Sequence, residues 1–108
     1  MPIVFIESQY PVHKNKEVLT AWLRALEKYP QPKDLFTTLV DTAVSSGKNG
    51  LKVLSAHLIS PGKYDEATAY FRKFMTEFFD IEGFCYEFNN WSTIEEAMES
   101  IGQQAPER

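Results

Sequence analysis

The amino-acid sequence predicts an α+β fold, in which a four-stranded antiparallel sheet carries its main helices on one face. Four segments are rich in β-branched and aromatic residues, as strands are. Other segments place apolar residues at the spacing of a helix face. The segments follow the order strand, helix, strand, strand, helix, strand, with a short third helix at the end.

The first strand and the first helix are separated by a proline. Pro2 to Tyr10 has the strand pattern, and Pro11 ends it. We expect Asn15 to cap the helix that follows, with Glu17 in its first turn, where negative charge is favourable. Pro30 then ends this helix, because proline cannot continue the hydrogen-bond ladder.

The middle of the chain is predicted to form a hairpin. Leu35 to Ser45 is the second strand, and Lys52 to Ser60 is the third. The segment SGKNG between them contains Asn49-Gly50, a residue pair that favours tight turns. Strands two and three should therefore be antiparallel neighbours.

A second helix, a fourth strand and a short third helix complete the pattern. The second helix presents an apolar stripe of Ala67, Tyr70, Phe71, Phe74 and Phe78. Phe84 to Trp91 is the fourth strand. The segment Ser92-Thr93-Ile94-Glu95 predicts a capping box at the start of the third helix. We expect residues 102–108 to form a flexible tail.

Length, charge and cysteine content limit the function classes. The 108 residues suffice for one domain, predicted to span 1–108. The net charge of −4 disfavours nucleic-acid binding, which needs clustered Lys and Arg. We expect no membrane partner, because no apolar run approaches about 20 residues, and no signal peptide is predicted. Cys85 is the only cysteine, so no internal disulfide can form and a cytoplasmic location is expected.

The order of the first six segments matches the βαββαβ unit of ferredoxin-like proteins. In that unit the sheet order is 4-1-3-2, and both main helices cover one face. Strand alternation predicts that the covered face carries Val4, Ile6, Ser8, Tyr10, Leu54, Ala56, Leu58, Phe84, Tyr86 and Phe88. The other face would carry Ile3, Phe5, Glu7, Gln9, Val53, Ser55, His57, Ile59, Cys85, Glu87, Asn89 and Trp91.

This second face contains more apolar residues than a fully solvated face needs. We therefore expect a homodimer in which a second copy packs on the open sheet face. The element order, the mixed second face and the third helix resemble the dimeric α/β-barrel superfamily, from about Pro2 to Ile101. The resemblance implies two sheets packed face to face. That superfamily includes cofactor-free and haem-degrading monooxygenases, isomerases and ligand-binding domains, so the resemblance selects no single function.

Three residues of the second face are candidates for acid–base catalysis, namely Glu7, His57 and Glu87. They would lie on three adjacent strands spaced about 4.8 Å apart. A carboxylate beside an imidazole raises its pKa and orients it. The ligand-binding residues predicted for the same cavity are Ser55, Cys85, Asn89 and Trp91. In the alternative arrangement both carboxylates reach the rim and His57 lies in the dimer interface.

Three functions remain open at this point. The first is binding of a small apolar or aromatic ligand in a cavity of the barrel. The second is a cofactor-independent monooxygenase or isomerase that uses His57 as its acid–base group. The third is a purely structural interaction module, which would have no pocket. No cofactor is expected, and no metal site is predicted, because one histidine with scattered carboxylates is a weak ligand pattern.

Overall fold

The structure is a computed structural model that describes residues 1–104 and 106. Its elements follow the predicted order, and the fold is α+β and ferredoxin-like with a short C-terminal helix. The strands are β1 (Ile3–Tyr10), β2 (Phe36–Gly47), β3 (Gly50–Ile59) and β4 (Cys85–Trp91). The helices are α1 (Asn15–Lys28), α2 (Tyr64–Met75) and α3 (Ile94–Glu99), with 3₁₀ turns at Val12–Lys14 and Thr76–Phe78. The predicted tail, 102–108, includes Ala105, Glu107 and Arg108, which lie outside the described residues.

The four strands form one antiparallel sheet in the order β2-β3-β1-β4. This confirms the predicted order 4-1-3-2. Helices α1 and α2 pack on one face and form the hydrophobic core with it. Within residues 1–104 and 106, no helix is long and apolar enough to span a membrane.

Helix α1 begins one residue before its predicted start and lacks the predicted cap. Asn15 is already helical, and no side chain caps the helix start. The side-chain carbonyl oxygen of Asn15 instead accepts a 2.8 Å hydrogen bond from the Tyr10 hydroxyl. The 3₁₀ turn before Asn15 explains the difference, because it continues directly into the helix. Asn15 therefore fixes α1 to the end of β1.

The predicted turn between β2 and β3 is confirmed at Gly47 to Gly50. Gly50 has a φ of 131°, a backbone conformation that L side chains rarely adopt. A Cβ atom at this position would clash with the backbone oxygen of Tyr10. Gly50 thus allows the hairpin to pass close to the end of β1.

Helix α3 has a capping box that is shifted by one residue from the predicted one. The Thr93 hydroxyl accepts a hydrogen bond from the Glu96 backbone N–H, and the Glu96 carboxylate accepts one from the Thr93 N–H. The predicted pair, Ser92 and Glu95, had the same spacing, and sequence spacing alone does not separate the two registers. The existence of the short third helix is confirmed.

The face prediction was correct for β1 and β4 and wrong for β3. Val4 pairs with His57 and Ile6 pairs with Ser55, so these residues point to the same side of the sheet. Paired residues share a face, and a shift of one residue moves every side chain to the other face. The covered face therefore carries Leu51, Val53, Ser55, His57 and Ile59 of β3.

The open face receives the more apolar half of β3, namely Leu54, Ala56 and Leu58. It also carries Ile3 and Phe5 of β1. Trp91 of β4 lies beside them, 59% exposed, with its ring centroid 6.1 Å from that of Phe5. The open face is thus more apolar than the sequence pattern predicted.

Candidate functional site

A cavity of about 300 Å³ lies between the helices and the covered face of the sheet. This volume is at the lower end of the range for small-molecule sites, about 300 to 1,000 Å³. Its aromatic lining comes from Tyr10, Trp22, Phe36, Tyr70, Phe71, Phe74, Phe78 and Phe84. Its polar lining includes Ser8, Gln31, Asp41, Thr42, Ser55 and His57. A mostly apolar wall that is rich in aromatic rings and has a few polar groups is typical of a binding site for a small organic ligand.

His57 lies in the cavity wall with only 8% of its surface exposed. Its ring centroid is 4.9 Å from that of Phe36 and 4.7 Å from that of Phe71. Phe71 is 3% exposed and is itself part of the hydrophobic core. The imidazole is therefore fixed between two aromatic rings from β2 and α2.

Both ring nitrogens of His57 have hydroxyl partners. Nδ1 lies 3.1 Å from the Thr38 hydroxyl oxygen, and Nε2 lies 3.1 Å from the Ser55 hydroxyl oxygen. The Gln31 side-chain amide donates a 2.7 Å hydrogen bond to the Thr38 oxygen. These four side chains, Gln31, Thr38, His57 and Ser55, form one hydrogen-bonded chain, which we call the His57 chain.

Burial lowers the pKa of His57 from 6.5 to about 4, while the charge of Asp41 raises it in part. The cause is desolvation, because a buried imidazole loses the water that would stabilise its charged form. At neutral pH His57 is therefore an uncharged imidazole with one donor nitrogen and one acceptor nitrogen.

Strand β2 supplies cavity residues that the sequence did not predict. Its pairing with β3 shifts between Thr38 and Val40 and again between Val40 and Ala43. Bulges of this kind redirect side chains and occur often beside functional sites. Asp41 and Thr42 lie in this irregular stretch and line the cavity. The sequence signal for this part of the cavity was the charged residue Asp41 inside the run LFTTLVDTAVS. The bulges that turn its side chain towards the cavity leave no clear mark in the sequence.

The predicted catalytic group does not converge. Glu7 lies directly opposite Glu87 on the open face, whereas His57 lies on the covered face. The prediction that all three share one face was wrong, because β3 has the other register. Neither carboxylate can orient the imidazole through the sheet.

A second concavity, of about 530 Å³, lies on the open face and includes Glu7, Cys85 and Glu87 in its lining. Cys85 is exposed, and its thiol lies 3.6 Å from the Gln9 backbone oxygen. Asn89 and Trp91 pair with Phe5 and Ile3 on the same open face.

The predicted site residues thus divide into two groups. His57 and Ser55 line the covered cavity, whereas Glu7, Cys85, Glu87, Asn89 and Trp91 lie on the open face. Across residues 1–104 and 106, no three His, Cys, Asp or Glu side chains are grouped as a metal site requires. The roles predicted for these residues stay predictions.

No model of a known protein family matches this sequence, and no curated protein matches it. Among solved structures, the chain is similar to a formyltetrahydrofolate deformylase from Pseudomonas putida, with 12% identity and a TM-score of 0.43. That match covers 82% of this chain, and the chain spans 28% of the deformylase. A putative PII-like signaling protein from Thermus thermophilus is similar with 13% identity and a TM-score of 0.38, over 90% of this chain and 95% of that one.

Proposed function

We propose that this protein binds a small, uncharged aromatic ligand in the covered cavity. The observation that carries the proposal is the combination of an apolar wall rich in aromatic rings with the His57 chain, whose imidazole is buried in that wall. An interaction module without a ligand would fill this space with side chains. Apolar walls supply binding energy through the area they remove from water, and the few polar groups set orientation.

The charges of the cavity favour a neutral ligand. His57 is uncharged at neutral pH because burial lowers its pKa to about 4. Asp41 contributes the carboxylate among the cavity-lining residues, and it would repel an anion. A cation would lose its hydration on entering the cavity, and Asp41 is exposed to solvent, so the charge of Asp41 is screened and compensates that loss only weakly.

The two tryptophans of the chain allow a direct test. Trp22 lines the cavity, whereas Trp91 lies on the open face. In a Trp91→Phe variant, the fluorescence of Trp22 should change in a saturable way when small aromatic compounds are added. A Trp22 signal that stays unchanged across a panel of one-ring and two-ring aromatic compounds would contradict the proposal.

A matched pair of valine variants tests the place of binding. Val53 lines the cavity, and Val53→Phe should fill part of it and weaken binding. Val40 lies on β2 opposite Ala56 of the open face, so Val40→Phe adds the same volume outside the cavity. Equal loss of binding in both variants would argue against the covered cavity as the site.

We further infer that a second copy of the chain covers the open face, giving a dimeric α/β barrel. Apolar residues of three strands meet there, including Phe5, Leu58 and Trp91. The charged groups beside them have both signs, with Glu7 and Glu87 on β1 and β4 and Lys52 on β3. A two-fold related copy would bring acidic and basic parts of this face together.

Light scattering tests the dimer. The wild-type chain should give a dimer mass at micromolar concentration, and Leu58→Asp should give a monomer mass. Leu23→Asp is the control, because Leu23 is 61% exposed on α1 and lies away from the open face. A monomer mass for the wild-type chain would contradict the dimer.

The cytoplasm is the compartment we propose. The exposed thiol of Cys85 is the single cysteine of the chain, and a reducing environment keeps such a thiol free. Mass spectrometry of protein purified without reductant should show a free thiol at Cys85. A disulfide-linked partner at this position would contradict the proposal.

A further inference from the structure

The hydrogen bonds of the His57 chain have a direction that starts at the protein surface. Gln31 is exposed, and its amide nitrogen donates to the Thr38 oxygen. An amide nitrogen can only donate, so the Thr38 oxygen is the acceptor in this bond. The next contact, 3.1 Å from Thr38 to Nδ1 of His57, then has the Thr38 hydroxyl hydrogen available.

The Thr38 hydroxyl is the better donor in its contact with His57. A hydroxyl that accepts one hydrogen bond is polarised and donates the next one more strongly. This makes Nδ1 the acceptor nitrogen of His57. A neutral imidazole carries its single hydrogen on the other nitrogen, so Nε2–H donates to the Ser55 oxygen at 3.1 Å.

Ser55 is the last group of the His57 chain, and it lines the cavity. Its oxygen accepts from His57, so its own hydroxyl hydrogen is left for a partner in the cavity. We propose that Ser55 is a specificity residue that donates a hydrogen bond to a carbonyl-type oxygen of the ligand. This inference rests on the proposed ligand-binding function and assigns its ligand class, which is an uncharged aromatic carbonyl compound.

The opposite direction would select a different ligand. If Nδ1–H donated to Thr38, the Ser55 hydroxyl would donate to Nε2 and could only accept from a ligand. A phenol would then satisfy Ser55, and a ketone would leave its oxygen without a donor there. Leaving a buried polar atom unpaired is unfavourable. The direction of the hydrogen bonds in the His57 chain therefore decides between a carbonyl ligand and a phenol.

The direction can be measured without any ligand. Nitrogen-15 NMR of the imidazole separates the two tautomers, and we expect the Nε2–H form for His57 at pH 7. His13 is the internal control, because it lies in the 3₁₀ turn outside the cavity lining. An Nδ1–H tautomer of His57 would overturn the inference.

A matched pair of ligands tests the contact itself. The probes are 2-acetylnaphthalene, which has a carbonyl, and 2-ethylnaphthalene, which has nearly the same shape without one. Ser55→Ala should weaken binding of the ketone by about three- to tenfold, the range of one neutral hydrogen bond, and leave the hydrocarbon unchanged. Equal effects on both probes would overturn the role of Ser55 while leaving the binding function in place.

The two proposals fail in different ways. Binding of neither probe to the wild-type chain would overturn the ligand class, and a silent Trp22 across the aromatic panel would overturn the binding function as well. Thr38→Val removes the donor to Nδ1 and keeps nearly the same volume. We expect this variant to lose the strong preference for the Nε2–H tautomer, and an unchanged tautomer would contradict the assigned direction.

Discussion

The two faces of the sheet differ in the solvent exposure of their polar side chains. On the covered face, His57 is buried and Ser55 is half-buried, and the two side chains are bonded to each other at 3.1 Å. On the open face, Glu7 and Glu87 are exposed, while Leu54, which pairs with Glu7, is half-buried. The covered polar groups are tolerated because each buried side-chain nitrogen and oxygen in residues 1–104 and 106 has a hydrogen-bond partner. Hydrophobicity alone therefore does not decide which side of a strand faces the helices.

The largest effect should come from the aromatic cluster that holds His57. Phe71 is 3% exposed and lies next to Phe36, His57 and Phe88. Phe71→Ala should lower the free energy of unfolding by about 3 to 5 kcal/mol, because it removes buried area and leaves a void. Urea unfolding measures this.

The control for the buried Phe71 is Phe79, a phenylalanine on the surface. Phe79 is 61% exposed and stacks on Tyr86 alone among the aromatic rings of the described residues. Phe79→Ala should cost less than about 1 kcal/mol. Similar losses in both variants would mean that the covered face does not contain the core of the fold.

Two neighbouring residues of β3 compare the faces directly. Ile59 is fully buried on the covered face, and Leu58 is half-buried on the open face. Ile59→Ala should cost about 2 to 4 kcal/mol at any protein concentration. Leu58→Ala should cost about 1 kcal/mol in a monomer and more as rising concentration favours the dimer. Equal losses of unfolding free energy in Leu58→Ala and Ile59→Ala at every concentration would contradict this difference between the two faces.

The pH dependence of stability reports the burial of His57. Its pKa is about 4 in the folded chain, against an ordinary value of 6.5 in the unfolded chain, because burial disfavours the charged form. Between these values the unfolded chain binds a proton that the folded chain does not. The stability that the neutral His57 contributes is therefore complete above pH 6.5. It is lost as the pH falls towards 4, by about 2 kcal/mol between pH 7 and pH 5.

Urea unfolding at a series of pH values checks this, and the quantity to compare is the slope of the free energy of unfolding against pH. His57→Gln should remove most of the slope between pH 7 and pH 5, whatever its effect on overall stability. His13→Gln is the matched control and should leave the slope unchanged, since His13 is exposed. An unaltered slope in His57→Gln would show that the imidazole is solvated.

The sequence predicted the fold further than it predicted the site. The strand order followed from the order of the elements, and the faces of β1 and β4 followed from alternation, because apolar residues such as Val4 and Phe88 recur at every second position of the covered face. The prediction failed at β3, where Ser55 and His57 look like surface residues but line a cavity. Functional sites are where local rules are expected to fail. Thr38 and Asp41 could not be placed, because their direction depends on the bulges of β2.

The smallest expected effect concerns the helix layer that closes the covered cavity. Glu77, in the turn after α2, pairs with Arg24 at 3.1 Å and Lys28 at 3.0 Å, both on α1. Hydrogen bonds from Lys28 and Arg24 lower the pKa of Glu77 below 4.5. Its contribution is thus present above pH 4.5 and is lost as the pH falls through the lowered value.

Glu77→Gln should therefore give a small, salt-sensitive loss of stability at pH 7, because ion pairs whose cations are exposed to solvent, as Arg24 and Lys28 are, are weak and screened. Glu66→Gln is the control, since Glu66 is 65% exposed and reaches Lys63 only at 3.7 Å. A loss in Glu77→Gln that persists in high salt would mean that the pair acts through packing. The two pH windows also separate the regions, because His57 acts between pH 6.5 and 4 and Glu77 acts below pH 4.5. A loss of stability confined to the lower window would therefore place the acid-sensitive contact between the helices and not in the cavity.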